Sequence, residues 1–166
     1  MEATILSLLC TILQGNTSLL KIAVSQRAKF EGWLKFELAK ALKVHYSDTR
    51  VEEPVNGYHI DIYSNQSLIE LKTPNTNYKI EGCADRKCTI TDNVNSIIDD
   101  IQKLSTLVPG IYRNGYIAFV MFPVDKVKYV KHVNKVSNAL PSGAKNVSNY
   151  IIVGGLPLYV FVAKVI

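Results

Sequence analysis

The sequence predicts an α/β fold: one domain over residues 1–166, with a central mixed sheet of four to five strands flanked by helices. Three observations predict it. Residues 58–73 alternate apolar and polar side chains with the period-two pattern of a β-hairpin. Residues 26–43 and 94–108 instead carry apolar side chains at helical spacing. Between the second of these and the end of the chain, residues 116–122 form an apolar, aromatic and β-branched run that reads as a buried strand.

Taken in order, residues 3–13 read as a short helix broken at Gln14-Gly15-Asn16. A second helix spans residues 26–43, with Phe30, Trp33, Leu34, Leu38, Ala41 and Leu42 forming its apolar face. Residues 44–55 are a transition or first strand, closed by Pro54 and the turn residues Asn56-Gly57. The hairpin follows. After Thr73-Pro74 comes a polar stretch to Lys87, and then Thr91-Asp92-Asn93 offers an N-cap to a helix ending near Pro109-Gly110. Its apolar face is Val94, Ile97, Ile98, Ile101, Leu104 and Val108. Residues 116–122 form the central strand, stopped by Pro123, and residues 126–140 a further helix. Residues 150–153 and 158–165 are terminal strands around Gly154-Gly155. No internal repeat or low-complexity tract divides the chain.

Composition narrows the function classes. A formal net charge of +5 favours a polyanionic partner, and nucleic acid above others. Three cysteines, Cys10, Cys83 and Cys88, are too few and odd in number for an extracellular disulfide framework. Cys83 and Cys88 bracket four residues and would make only half a zinc site or a local disulfide. The first ten residues start acidic and their apolar run is short, which argues against a signal peptide or a membrane span and for a cytoplasmic protein.

The chemistry concentrates in the hairpin. Alternation puts Ile60 and Ile62 on one face of its first strand and His59, Asp61 and Tyr63 on the other; Ile69 and Leu71 oppose Leu68, Glu70 and Lys72 on the second. With Ser64-Asn65-Gln66-Ser67 as the turn and Tyr63 paired to Leu68, Asp61 falls across from Glu70. Two adjacent carboxylates resist joint ionisation unless a cation lies between them. A hard divalent ion suits that pair, keeping places open for water and a phosphate oxygen. An ordinary solvated strand face would also carry such charges.

These residues resemble the PD-(D/E)xK nuclease superfamily, which includes many restriction endonucleases, archaeal Holliday-junction resolvases and repair nucleases. Glu70-Leu71-Lys72 is similar to its (D/E)-x-K element and Asp61 to the acidic residue of the preceding strand; Ile60 stands where the pattern has proline. The resemblance covers residues 30–122, and its setting of helix, strands, helix and strand matches the order above. It implies a restriction-endonuclease-like core and hydrolysis of DNA phosphodiester bonds, as an endonuclease. It further implies Mg2+, with Mn2+ as a substitute, held by Asp61 and Glu70, with Lys72 assisting. A further helix glutamate is implied: Glu31, followed by Leu34 and Leu38, fits that pattern, while Glu37 on the same helix stays open as the alternative.

Other residues are secondary candidates. His59 and Thr73 border the motif, and Gln102 occupies a place where the superfamily carries a polar residue near its site. For DNA contacts, Lys79, Arg86 and Lys87 lie in the loop after the motif strand, Tyr78 offers a ring for stacking, and Lys128, Lys131 and Lys135 recur at helical spacing. A symmetric dimer would suit a duplex with two strands to cut. The alternative reading is a non-catalytic nucleic-acid-binding or structural subunit with the same fold.

Overall fold

The computed structural model describes residues 1–85, 89–107 and 112–166. Its elements are α1 (Glu2–Gly15), α2 (Thr17–Ser25), α3 (Glu31–Lys43), β1 (Arg50–Val55), β2 (Tyr58–Ser64), β3 (Ser67–Lys72), α4 (Ile90–Leu107), β4 (Asn114–Met121), α5 (Val130–Ala139), β5 (Asn146–Val153) and β6 (Leu156–Lys164). The strands form one mixed sheet in the order β1-β2-β3-β4-β6-β5. Only β3 and β4 run parallel, with α4 in the connection between them; every other neighbouring pair is antiparallel.

The α/β class is as expected, but the sheet has six strands where four to five were predicted. The sixth is β1, since residues 50–55, read as a transition or first strand, pair along β2 as a full edge strand; β5 and β6 form a hairpin through Gly154 and Gly155, both at positive φ, and add to the far edge of β4. A second difference lies near the amino terminus. Arg27 adopts φ +54, so the predicted helix over residues 26–43 begins only at Glu31, and residues 17–25 form the separate helix α2. The last predicted helix begins late as well. Asp125 Oδ1 accepts hydrogen bonds from the Val127 and Lys128 amides, and this side-chain turn occupies the residues ahead of Val130.

Helices cover both faces of the sheet. Leu9, Leu13, Leu34, Leu38, Ile62, Ile69, Leu71 and Phe122 belong to the core under α1, α2 and α3. Ile60, Leu68, Ile97, Ile101, Leu104, Phe119 and Phe161 belong to the core under α4 and α5. Strand β4 alternates between the two, with Ala118 and Val120 in the first core and Ile117 and Phe119 in the second, which explains its unbroken apolar run. No single helix among the described residues is long and apolar enough to cross a membrane; α1 and α2 reach that composition only as a pair, bent by 88°.

Strand β2 departs from simple alternation. Ile60 and Ile62, expected on one face, enter opposite cores. The β1–β2 ladder pairs Val51 with Ile62 and Glu53 with Ile60, and at the intervening position Glu52 takes φ +52. That left-handed residue rotates the strands about the position of Asp61. The hairpin turn itself is as expected: Tyr63 pairs with Leu68 and Ser64 with Ser67, while Asn65 and Gln66 carry the paired positive φ values of a two-residue turn. The Asp48 carboxylate accepts hydrogen bonds from both of their amides, at 3.0 and 3.3 Å.

Candidate active site

Strand β3 delivers two of the site residues. Ile69 and Leu71 anchor it in one core, so Leu68, Glu70 and Lys72 turn toward α4, as alternation requires. Glu70 is only 2 % exposed, and its Oε1 lies 2.5 Å from the Lys103 ammonium on α4. Asp100, one turn earlier on α4, meets Lys103 through Oδ1 and Lys72 through Oδ2, each at 3.2 Å. The four side chains thus form an alternating chain of acidic and basic groups, Glu70 to Lys103 to Asp100 to Lys72.

Asp61 enters from β2. The β2–β3 ladder runs from Ser64↔Ser67 to Ile62↔Ile69, and beyond it the link is made by a side chain: Asp61 Oδ2 accepts the Leu71 amide at 2.9 Å. Its Oδ1 lies 3.3 Å from the ammonium of Lys35 on α3, which also pairs with Glu52. The charge of Asp61 reaches Glu70 across the opened ladder.

Glu31 reaches the same neighbourhood from the first turn of α3. The ring of Phe30 packs on Phe122 at the end of β4, with centroids 4.8 Å apart, and so fixes the start of the helix. Glu31 Oε2 then accepts the Thr73 amide at 3.0 Å, just beyond β3. Glu37 takes no part in this arrangement; it pairs with Lys40 one turn along the same helix. Lys29, Glu31, Lys72, Thr73, Asn93 and Ser96 line a cavity of about 30 Å³, the size of a water molecule. The Thr73 hydroxyl is buried there with no hydrogen-bond partner among the described residues.

The electrostatics follow from this crowding. Burial pushes the Glu70 carboxyl up to about 8, with Asp61 and Asp100 adding to the rise and Lys103 opposing it. For Lys72 burial works in the opposite direction, favouring loss of the proton, but Asp100, Glu31 and Asp61 outweigh it and hold the pKa above the ordinary lysine value. Lys103 is raised in the same way by Glu70 and Asp100, and Lys35 by Glu52 and Asp61, each against its own burial. All three lysines are therefore ammonium groups at neutral pH. They can pair with anions or hold water, and none is poised as a neutral base.

Five carboxylates, Glu31, Glu52, Asp61, Glu70 and Asp100, share this region with three ammonium groups. Among the described residues no three His, Cys, Asp or Glu side chains converge closely enough to hold a metal by themselves. The pair Asp61 and Glu70 fits a hard divalent cation in another way. Both donors are carboxylate oxygens, the excess charge is negative, and Glu70 Oε1 is buried without an aligned hydrogen bond. One or two carboxylates completed by water suffice for Mg2+.

The structure brings Asp61, Glu70, Lys72 and Glu31 to one end of β2 and β3. Other candidates fall elsewhere. His59 is exposed opposite Pro54, and Gln102 points to solvent from α4. Tyr78 is buried, its hydroxyl donating to the Lys128 carbonyl, so its ring is not offered for stacking. Lys79, Lys128 and Lys131 are exposed; Lys128 lies 3.8 Å from Asp125, and Lys135 donates to Asn95 at 2.7 Å. Arg86, Lys87 and Cys88, and with Cys88 the Cys83 pairing, lie outside the described residues, as does Val108.

Sequence reading missed Asp100 and Lys103. Their signal was present: Asn93, Ser96, Asp100 and Lys103 recur at helical spacing, each one position before Val94, Ile97, Ile101 and Leu104 of the buried stripe. Arg27 was missed too and has no comparable signal. It is 1 % exposed, and its guanidinium donates to the carbonyls of Thr76, Tyr78 and Ala84, fixing the loop that leaves β3. Compared with protein-family models, curated proteins and solved structures, the chain matches none.

Proposed function

We propose that this chain is a metal-dependent nuclease of the PD-(D/E)xK type, with a restriction-endonuclease-like core, that cuts DNA as an endonuclease. The observation that carries the reading is the convergence of Asp61, Glu70 and Lys72 where the β2–β3 ladder opens, with Glu31 beside them. Asp61 and Glu70 would hold Mg2+, or Mn2+ in its place, and Glu31 would complete the set through water. Such an ion lowers the pKa of bound water and offsets charge on the phosphoryl group. The chain's own residues do the rest. Lys72, kept cationic by Asp100 and Glu31, orients the attacking water or supports charge on the phosphate. Asp61 is locked by the Leu71 amide, so its second oxygen keeps a fixed direction.

A second reading, a non-catalytic DNA-binding subunit of the same fold, is favoured by one observation: Lys103 already occupies the Glu70 oxygen that a metal would need. One assay separates the two. Supercoiled, linear, single-stranded and branched DNA are incubated with Mg2+, Mn2+ or chelator, using the native chain and Asp61→Ala. Cleavage that needs metal and disappears in the variant is the expected result. Metal-dependent cleavage that survives both Asp61→Ala and Lys72→Ala would overturn the assignment.

A further inference from the structure

Lys103 sits where the proposed metal chemistry needs the inner carboxylate free. Its ammonium lies 2.5 Å from Glu70 Oε1 and 3.2 Å from Asp100 Oδ1, while Asp100 turns its other oxygen to Lys72. Glu70 is buried, and the Oε1 that a cation would need is the oxygen already in contact with Lys103. A divalent ion binds a carboxylate oxygen at about 2.0–2.6 Å. An ammonium in contact with the same oxygen would then stand within about 4 Å of the ion, and like charges at that range repel strongly in a partly buried setting.

We infer that Lys103 is a built-in counter-cation that competes with the divalent ion for Glu70 and so sets the metal concentration at which the site assembles. This rests on the metal-dependent reading above. Lys103 has the means to leave. Its four-carbon stem is flexible and partly exposed, and the ring of Tyr58, half-exposed on β2, lies 6.0 Å from its ammonium, an alternative place for a cation. Asp100 does not follow it, because Lys72 still holds the opposite oxygen. In the ion's absence the same lysine supplies the buried Glu70 oxygen with a polar partner.

The test compares Mg2+ binding to the native chain and to Lys103→Met by titration calorimetry, without nucleic acid. Removing the competitor is expected to tighten binding by at least about ten-fold. Equal or weaker binding by the variant would overturn the inference while leaving the metal site standing. Binding by neither protein would remove both the inference and the reading beneath it. Should Lys103→Met fail to fold, the native chain answers through amine-reactive labelling read by mass spectrometry, with exposed Lys40 as internal reference. Labelling of Lys103 should rise several-fold on saturation with Mg2+; unchanged labelling would overturn the exchange.

Discussion

Asp61 completes the β2–β3 ladder with its side chain, accepting the Leu71 amide at 2.9 Å where a backbone carbonyl would otherwise serve. Its charge and its hydrogen bond can therefore be separated by mutation. Asp61→Asn keeps an acceptor for Leu71 and removes the charge. Cleavage should fall by at least about a thousand-fold, while the melting temperature stays within a few degrees. Asp61→Ala loses the acceptor as well, at a cost of about 1–3 kcal/mol for the orphaned amide, visible in a thermal melt.

Glu70 makes stability depend on pH. Its folded pKa of about 8 lies above the reference value of 4.5, so between those values the folded chain holds a proton that the unfolded chain releases. The stabilisation is complete below about 4.5 and is lost as pH rises through about 8, an effect on the order of 5 kcal/mol. In metal-free buffer the melting temperature should decline across that window. Glu70→Gln should flatten the decline and abolish cleavage. A parallel decline in both proteins would show that another group causes it.

Glu31 and Glu37 share α3 but have different surroundings. Glu31→Gln can still accept the Thr73 amide yet loses the charge beside Lys72, so cleavage should drop about 10- to 100-fold. Glu37→Gln touches only the Lys40 pair and should cleave at the native rate. Equal losses in steady-state assays of the two variants would refute this assignment.

Arg27 governs the loop rather than the chemistry. Arg27→Met strips hydrogen bonds from the Thr76, Tyr78 and Ala84 carbonyls, and at least about 3 kcal/mol of stability should go with them. For a chain of this length that corresponds to a fall of about 10 °C in a calorimetric melt.

Lys128, Lys131 and Lys135 can be tested as phosphate contacts through salt. If all three touch DNA, replacing them together with alanine should reduce the slope of log affinity against log salt by up to about 3. An unchanged slope in fluorescence anisotropy would mark them as solvated residues of α5 and of the turn before it.

Much of the molecule is written locally. The alternation from Ser67 to Lys72 already tells that Glu70 and Lys72 share a face, because a strand of period two leaves no other arrangement once Ile69 and Leu71 are buried. The turn at Asn65-Gln66, the helix under Leu34 and Leu38, and the buried strand at β4 were legible for the same reason: each depends on residues close in sequence. What the tertiary structure decided are relations over long separations. Only the folded chain brings Lys103 to Glu70, Glu31 to Thr73 and Arg27 to Ala84, and only there does a left-handed Glu52 turn Ile60 and Ile62 into opposite cores. Periodicity fixes which way a side chain faces. Which charge waits on that face depends on how α3 and α4 pack against the sheet, and burial then gives those charges their altered proton affinities.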